Sequence, residues 1–204
     1  MRTAEEALQR LKEGNQRFVQ NVRSAEAMLS QIRRADFANN QEPFAIIVGC
    51  SDSRVPAEIV FDQGLGDLFV IRVAGNIVAP SQIGSVEFAA EYCGTRLVVV
   101  VGHTRCGGIA STVDAILGKG PPSRNLASIV DRIRPAVLPL MQTELRHDRA
   151  KLERAAVVAN VLAATNQLRH GSAIIESLEQ TGGLKVVGAV YDLDTGVVEF
   201  LEGL

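Results

Sequence analysis

Two short clusters of residues in this chain could bind a metal ion. Cys50 and, much farther along, His103 and Cys106 supply two thiols and one imidazole. These ligand types suit zinc, and a zinc ion with three protein ligands keeps its fourth position open for water. That is the arrangement of a catalytic site. We therefore expect a metalloenzyme with one zinc ion per chain, bound by these three residues.

Two charged side chains follow the first thiol closely. Asp52 and Arg54 lie in the same short segment as Cys50, and an arginine can bind a carboxylate through two parallel hydrogen bonds. Such a pair would hold Asp52 ionised and orient it toward a water molecule bound to the zinc. The zinc would lower the pKa of that water, so that hydroxide exists near neutral pH. Two alternatives stay open: the pair only stabilises its loop, or Asp52 itself fills the fourth zinc position.

The remaining cysteine and histidines argue against a closed structural zinc site, which would need a fourth Cys or His ligand. Cys93 is interpreted as a small buried apolar group, and His147 and His170 lie in polar helical segments typical of a surface. Three cysteines are an odd number, which fits a reducing compartment better than a disulfide framework. The first residues lack the apolar core of a secretory signal, so we expect a cytoplasmic protein.

Composition excludes several classes of partner. The chain has 204 residues, of which 47% are hydrophobic and 22% charged, values typical of a soluble globular protein and compatible with a single domain over residues 1–204. The formal net charge of -2 provides no basic field for nucleic acid. No apolar run approaches the roughly 20 residues that a membrane-spanning helix needs, so we expect neither a nucleic-acid nor a membrane partner.

The periodicity of apolar residues predicts a helical arm over residues 1–38 and an α/β body over 43–204. Near-continuous apolar strands that alternate with helices indicate a mainly parallel sheet covered on both faces. Ser81 is predicted to cap the helix before the third strand, and Gly94 to end it. The predicted arm helices cover residues 3–22 and 24–37, and the first three strands cover 44–49, 68–73 and 96–102.

The second half of the chain is predicted to add three helices and a hairpin. The β-rich runs on either side of residues 192–196 are typical of a hairpin. One run should extend the parallel sheet, and the other should return as an antiparallel edge strand. The predicted helices cover residues 124–145, interrupted at Pro135 and Pro139, then 151–169 and 172–180.

Strand placement brings the candidate ligands together. Cys50 follows the first strand, residues 75–76 follow the second and His103 follows the third. The carboxyl ends of parallel strands are where open α/β sheets bind their ligands. Cys106 should open the next helix, whose first N–H groups, beginning with Gly107, favour a nearby negative charge.

At this level of detail the chain resembles a known family. Cys50-Ser-Asp-Ser-Arg54 together with His103-x-x-Cys106-Gly-Gly108 resembles the β-class carbonic anhydrases. That resemblance implies reversible hydration of CO2 to bicarbonate and a proton, zinc on Cys50, His103 and Cys106, and an Asp52–Arg54 dyad. It also implies self-association as a dimer or a dimer of dimers. The similarity continues over essentially the whole chain, in segments 7–18, 66–69, 72–76, 85–88 and 191–196.

The resemblance is closer to the plant-type members of that family and implies a set of substrate residues. Gln41 stands where those members carry a glutamine that could donate a hydrogen bond to bicarbonate, from the other side of a dimer interface. Phe69, Ala74 and Phe88 match the positions that wall the CO2 pocket, although ordinary core packing explains each of them equally well. Gly107 matches the backbone N–H that contacts the bound anion.

One position of the resemblance concerns regulation and the state of the zinc site. Members of the family that bicarbonate inhibits have a tryptophan where this chain has Ile47, so we expect that regulatory site to be absent. With Gln41 and Phe88 present, we expect that Asp52 does not ligate zinc at alkaline pH and that water occupies the fourth position.

Two other functions stay open. The same fold and zinc ligands could hydrolyse CS2 or COS, because only access to the pocket would need to change. The chain could instead be a non-catalytic zinc-binding interaction protein, although such a protein has no need of the Asp52–Arg54 pair.

Overall fold

A five-stranded sheet forms the centre of the protein. The computed structural model describes residues 2–32, 38, 41–120 and 123–201. The strands lie in the order β2-β1-β3-β4-β5; the first four are parallel, and β5 runs antiparallel to β4. The predicted fold class is therefore confirmed. The strands are β1 (Ala45–Gly49), β2 (Leu68–Arg72), β3 (Leu97–His103), β4 (Lys185–Tyr191) and β5 (Val198–Leu201).

Helices cover both faces of this sheet. In β1, Ile47 packs into a core shared with the first helix, whereas its neighbour Ile46 packs into a core on the opposite face. Successive strand residues point to opposite faces, so a strand buried on both faces is largely apolar. Every residue of β1 and β3 is buried, and only His103 at the end of β3 is polar. None of the helices in the described ranges is long and apolar enough to cross a membrane. The α-helices are α1 (Ala4–Val19), α2 (Ala25–Ile32), α3 (Ala57–Val60), α4 (Pro80–Tyr92), α5 (Gly107–Ile116), α6 (Arg124–Val137), α7 (Arg149–His170) and α8 (Ala173–Thr181).

Several predicted helix boundaries need correction. Ser81 does not cap α4: Ala79 is the N-cap residue and Pro80 occupies the first turn, where the fixed φ of proline suits a helix start. Gly94 lies just beyond the end of α4 with φ +68°, as a glycine after a helix commonly does. The helix predicted over 124–145 ends at Val137, and short 3-10 turns follow. Of the helix predicted over 24–37, residues 33–37 lie outside the described part of the chain.

The first helix, part of the predicted N-terminal arm, packs into one of the two cores on the faces of the sheet. Ala7 and Leu11 of α1 are fully buried in the core that also contains Ile47. Asn15 donates hydrogen bonds to the carbonyls of Val60 (3.1 Å) and Gly196 (2.9 Å). Because a buried amide must find partners, these bonds fix how α1 docks. In α2, by contrast, Met28 and Leu29 are exposed.

Gly14 permits the close approach of α1 to α3, so we expect Gly14→Ala to destabilise the protein. An added Cβ would lie well inside van der Waals contact with the Phe61 carbonyl oxygen and 2.8 Å from Gln63 Nε2. Overpacking of this kind typically costs about 1–3 kcal/mol. Urea unfolding followed by circular dichroism measures the difference in the free energy of unfolding.

Gly84→Ala is the matched control, since an added Cβ at this helical glycine of α4 meets no heavy atom within 4 Å. Alanine has the higher helix propensity, by about 1 kcal/mol, so this variant should be at least as stable as the wild type. Equal unfolding midpoints for the Gly14 and Gly84 variants would contradict the proposed contact.

Candidate metal centre and its surroundings

Three buried side chains converge at the carboxyl edge of the sheet. Cys50 directly follows β1, His103 ends β3, and Cys106 is the N-cap residue of α5. Between the last two, Arg105 adopts a left-handed conformation (φ +56°) that reverses the chain and returns Cys106 toward His103. The two sulfur atoms and the imidazole nitrogen all lie within 4.8 Å of one another. The structure thus brings together the three predicted ligands.

The imidazole of His103 is oriented as a metal ligand would be. Its Nδ1 lies 3.0 Å from the carbonyl oxygen of Thr104. Since a carbonyl only accepts, Nδ1 carries the proton, and the lone pair of Nε2 points toward the thiols. Nε2 is buried and has no hydrogen-bond partner among the described residues. A buried, unpaired nitrogen is costly, and a metal ion would satisfy it, so these residues fit a metal centre.

The two thiols interact strongly with each other. The pKa of Cys50 is lowered, chiefly by a hydrogen bond from the Cys106 thiol and further by one from the Gly75 N–H. The pKa of Cys106 is raised by its hydrogen bond to the Cys50 thiolate and by burial. One thiolate therefore forms readily and opposes the second. A divalent cation would stabilise both.

Asp52 and Arg54 form a pair with two parallel hydrogen bonds beside this cluster. Arg54 Nε donates to Asp52 Oδ1 (2.9 Å) and Nη2 donates to Oδ2 (2.8 Å), while the Arg54 backbone N–H also bonds Oδ1 (3.0 Å). The guanidinium holds the pKa of the Asp52 carboxyl well below its usual range. Asp52 Oδ2 lies 3.8 Å from His103 Nε2. An ionised carboxylate thus lies at the edge of the candidate metal centre, with its two oxygens bound to Arg54.

Two residues that shape the Cys50 loop were not predicted to be part of the site. Arg72, at the end of β2, donates to the carbonyls of Cys50 (3.0 Å) and Asp52 (2.6 Å). Gly75 donates its N–H to Cys50 Sγ (3.3 Å). The sequence did contain signals for these two residues. Arg72 is a charged residue at the end of an apolar strand, and Gly75 lies in the turn that follows, so both occur at the same sheet edge as the ligands.

The predicted substrate residues fall into two groups. Ala74 precedes Gly75, and Gly107 is the exposed first residue of α5 beside Cys106, so both lie next to the cluster. The other three do not approach it within one chain. Gln41 precedes β1 and lies in a cleft with Tyr92 at the end of that strand opposite Cys50. Phe69 and Phe88 pack against each other, with ring centroids 6.1 Å apart, where α4 covers the edge strand β2.

Comparison with known proteins identifies this arrangement. The family model for carbonic anhydrase matches residues 45–198. Carbonic anhydrase 2 of Mycobacterium tuberculosis is 40% identical over 187 residues, which cover 91% of this chain and 87% of that relative. The carbonic anhydrase of Pseudomonas aeruginosa is 34% identical and covers 91% of this chain and 85% of its own length.

Solved structures agree with the sequence comparison. The β-carbonic anhydrase CcaA superposes with a TM-score of 0.73 at 25% identity and covers 96% of this chain and 92% of its own. A tetrameric β-carbonic anhydrase of the filamentous ascomycete Sordaria macrospora superposes with a TM-score of 0.74 at 27% identity, with coverages of 86% and 89%. By sequence, by fold and by the residues gathered at the sheet edge, this chain belongs to the β-class carbonic anhydrases, a family of enzymes.

Proposed function

We propose that this protein catalyses the reversible hydration of CO2 to bicarbonate and a proton, with one zinc ion bound by Cys50, His103 and Cys106. The observation that carries the proposal is the juxtaposition of these three buried ligands with the ionised, arginine-bound carboxylate of Asp52. Cysteine and histidine are the protein ligands that zinc prefers, and three of them leave one position for water.

Each residue has a defined part in this chemistry. When bound, zinc supplies a Lewis acid that lowers the pKa of water into the neutral range. Asp52 accepts a hydrogen bond from the attacking water and orients its lone pair toward CO2. Arg54 keeps Asp52 ionised and, by binding both carboxylate oxygens, holds it away from the metal position. The same guanidinium donates to the carbonyl of Arg105 (3.3 Å), so the pair is anchored to the segment that carries His103 and Cys106.

A second copy of the chain supports the substrate site in this proposal. Within one chain Gln41 lies at the far end of β1 from Cys50, so only another copy can bring such a glutamine to the metal centre. The edge strand β2 has no second neighbour among the described strands, and Phe88 and Tyr92 beside it are 45% and 79% exposed. Exposed aromatic residues along an open sheet edge favour burial against a partner, and a relative from Sordaria macrospora is tetrameric.

Metal analysis tests the ligand set. We expect Cys106→Ser to lose bound zinc after dialysis, because a serine hydroxyl at this position would leave the ion without one of its two thiolates. Cys93→Ser, which alters the cysteine outside the cluster, should retain one zinc ion per chain. Inductively coupled plasma mass spectrometry measures the stoichiometry. Equal zinc contents in the two variants would exclude this ligand set.

Asp52→Asn separates activity from metal binding. The amide keeps the shape of the side chain, so we expect zinc to be retained. It removes the negatively charged oxygen that accepts a hydrogen bond from water, so kcat/KM for CO2 hydration should fall about 100-fold or more. Stopped-flow measurement with a pH indicator, with and without zinc, gives the rate. Asp131→Asn, at an exposed carboxylate paired with Arg134, is the control and should match the wild type.

Full activity of Asp52→Asn, or loss of its zinc, would remove the Asp52–Arg54 pair from the mechanism. Release of sulfide from COS is measured on the same samples. Rapid sulfide release without CO2 hydration would identify COS rather than CO2 as the substrate. The absence of both activities would favour a zinc-binding protein without catalysis.

The state of assembly tests the contribution of a second copy. We expect Tyr92→Asp to yield a smaller species in size-exclusion chromatography with light scattering and to lower CO2 hydration in parallel, because it places a charge on an aromatic surface that the proposed partner would bury. Leu117→Asp, at a residue 55% exposed at the end of α5, is the matched control and should leave both unchanged. Gln41→Ala should reduce activity several-fold at unchanged size. A fully active monomer would contradict this arrangement.

A further inference from the structure

A buried asparagine lies behind the candidate metal centre. Asn160, in the middle of α7, is only 4% exposed. Along the same side of the helix, Ala156 and Ala164 are buried apolar residues, so Asn160 is a polar group inside the core. A buried amide persists only where it makes hydrogen bonds. Asn160 Nδ2 donates to the carbonyl oxygen of Gly75 at 2.9 Å, in a buried hydrogen bond of ordinary length.

Gly75 connects this asparagine to a metal ligand. While its carbonyl accepts from Asn160, its N–H donates to Cys50 Sγ at 3.3 Å. Gly75 has φ +69° and ψ 19°, a left-handed conformation that glycine adopts without steric penalty. Because these two angles alone relate the N–H to the carbonyl of one residue, anchoring the carbonyl also sets the direction in which the N–H points.

The same turn contacts the segment that carries the second thiol. A Cβ on Gly108, two residues after Cys106, would lie 3.0 Å from Gly75 Cα, and a Cβ on Gly75 would lie 2.6 Å from Ile133 Cδ1. The backbone of Gly75 therefore packs directly against the start of α5 with no room to spare. Because protein interiors are close-packed, a displacement of Gly75 would also shift the segments that carry Cys50 and Cys106.

We propose that Asn160 is a positioning residue of the metal centre: by holding Gly75 it aims the Gly75 N–H at the Cys50 sulfur and fixes both thiols relative to His103. The inference rests on the zinc site of the proposed function. An N–H that points at a thiolate stabilises its negative charge. Partners that orient metal ligands from outside the coordination sphere typically alter metal affinity 10–100-fold.

Zinc affinity and the cobalt spectrum test this role independently of catalysis. We expect Asn160→Leu, which keeps the volume but donates no hydrogen bond, to lower zinc affinity 10–100-fold in competition with a chromophoric chelator. In the Co²⁺-substituted protein the thiolate-to-cobalt charge-transfer band should shift, because the hydrogen bond to the Cys50 sulfur is weakened. Asn160→Ser serves if the leucine variant does not fold, as its shorter hydroxyl cannot reach Gly75 and bonds its own helix instead.

Thr165→Val is the matched control. Thr165 is also buried in α7 (5% exposed), but its hydroxyl donates to the Val161 carbonyl of the same helix (2.8 Å) rather than to the turn that contacts Cys50. This variant should match the wild type in zinc affinity and cobalt spectrum, even if its thermal stability is lower. An equal loss of affinity in the Thr165 and Asn160 variants would overturn the proposal, because general destabilisation would then explain both.

The outcome also separates this inference from the function on which it rests. If the wild type binds zinc and the Asn160 variant binds it equally tightly with an unchanged cobalt spectrum, the positioning role is wrong and the zinc site stands. If the wild type itself binds no zinc, the proposed function fails and this inference fails with it.

Discussion

The convergence of two thiols and an imidazole, all buried, is the constraint on which the rest of the site depends. Their ligand atoms lie within 4.8 Å of one another, although the three residues come from separate segments of the chain. The backbone must therefore hold these segments in place. Cys50 and His103 are fixed by adjacent parallel strands in register, and Cys106 is fixed by the start of α5.

This constraint explains the density of hydrogen bonds to the loop after β1. Arg72 binds two of its carbonyls, Gly75 binds the sulfur of Cys50, and Arg54 binds Asp52 and the Arg105 carbonyl. A loop of this kind would otherwise be free to move the thiol away from its partners. The guanidinium of Arg54 has a further consequence, since a carboxylate beside the metal position would be a competing ligand if it were not already bound on both oxygens.

Much of this arrangement could be predicted because it follows from strand order and residue chemistry. Cys50 and His103 each follow a continuous apolar strand, so a parallel sheet had to bring them to one edge. The cap of α4 could not be predicted in the same way, because Ser81 and Pro80 are both favourable residues for a helix start. Where the helix begins depends on the backbone angles of this segment, which the sequence does not give. Any contact of Gln41 with the site would require a second chain, because within one chain it lies at the other end of β1 from Cys50, and local patterns do not describe such contacts. Asn160 was missed because a single polar residue on a long helix resembles a surface position until the packing of that helix is known.

Hydrogen bonds also connect α1, near the beginning of the sequence, to the segment that carries His103 and Cys106. Thr104, between the ligands His103 and Cys106, receives a hydrogen bond from the Leu193 N–H on its hydroxyl (3.0 Å), so the β4–β5 hairpin supports the metal-ligand segment. Asn15 of α1 in turn binds the Gly196 carbonyl (2.9 Å) and the Val198 N–H (2.8 Å) of that hairpin. The first helix is therefore connected to the candidate metal centre through two sets of buried or partly buried hydrogen bonds. Because an unpaired buried amide or peptide group costs about 1–3 kcal/mol, loss of α1 would loosen the hairpin and, through Thr104, the two ligands on either side of it.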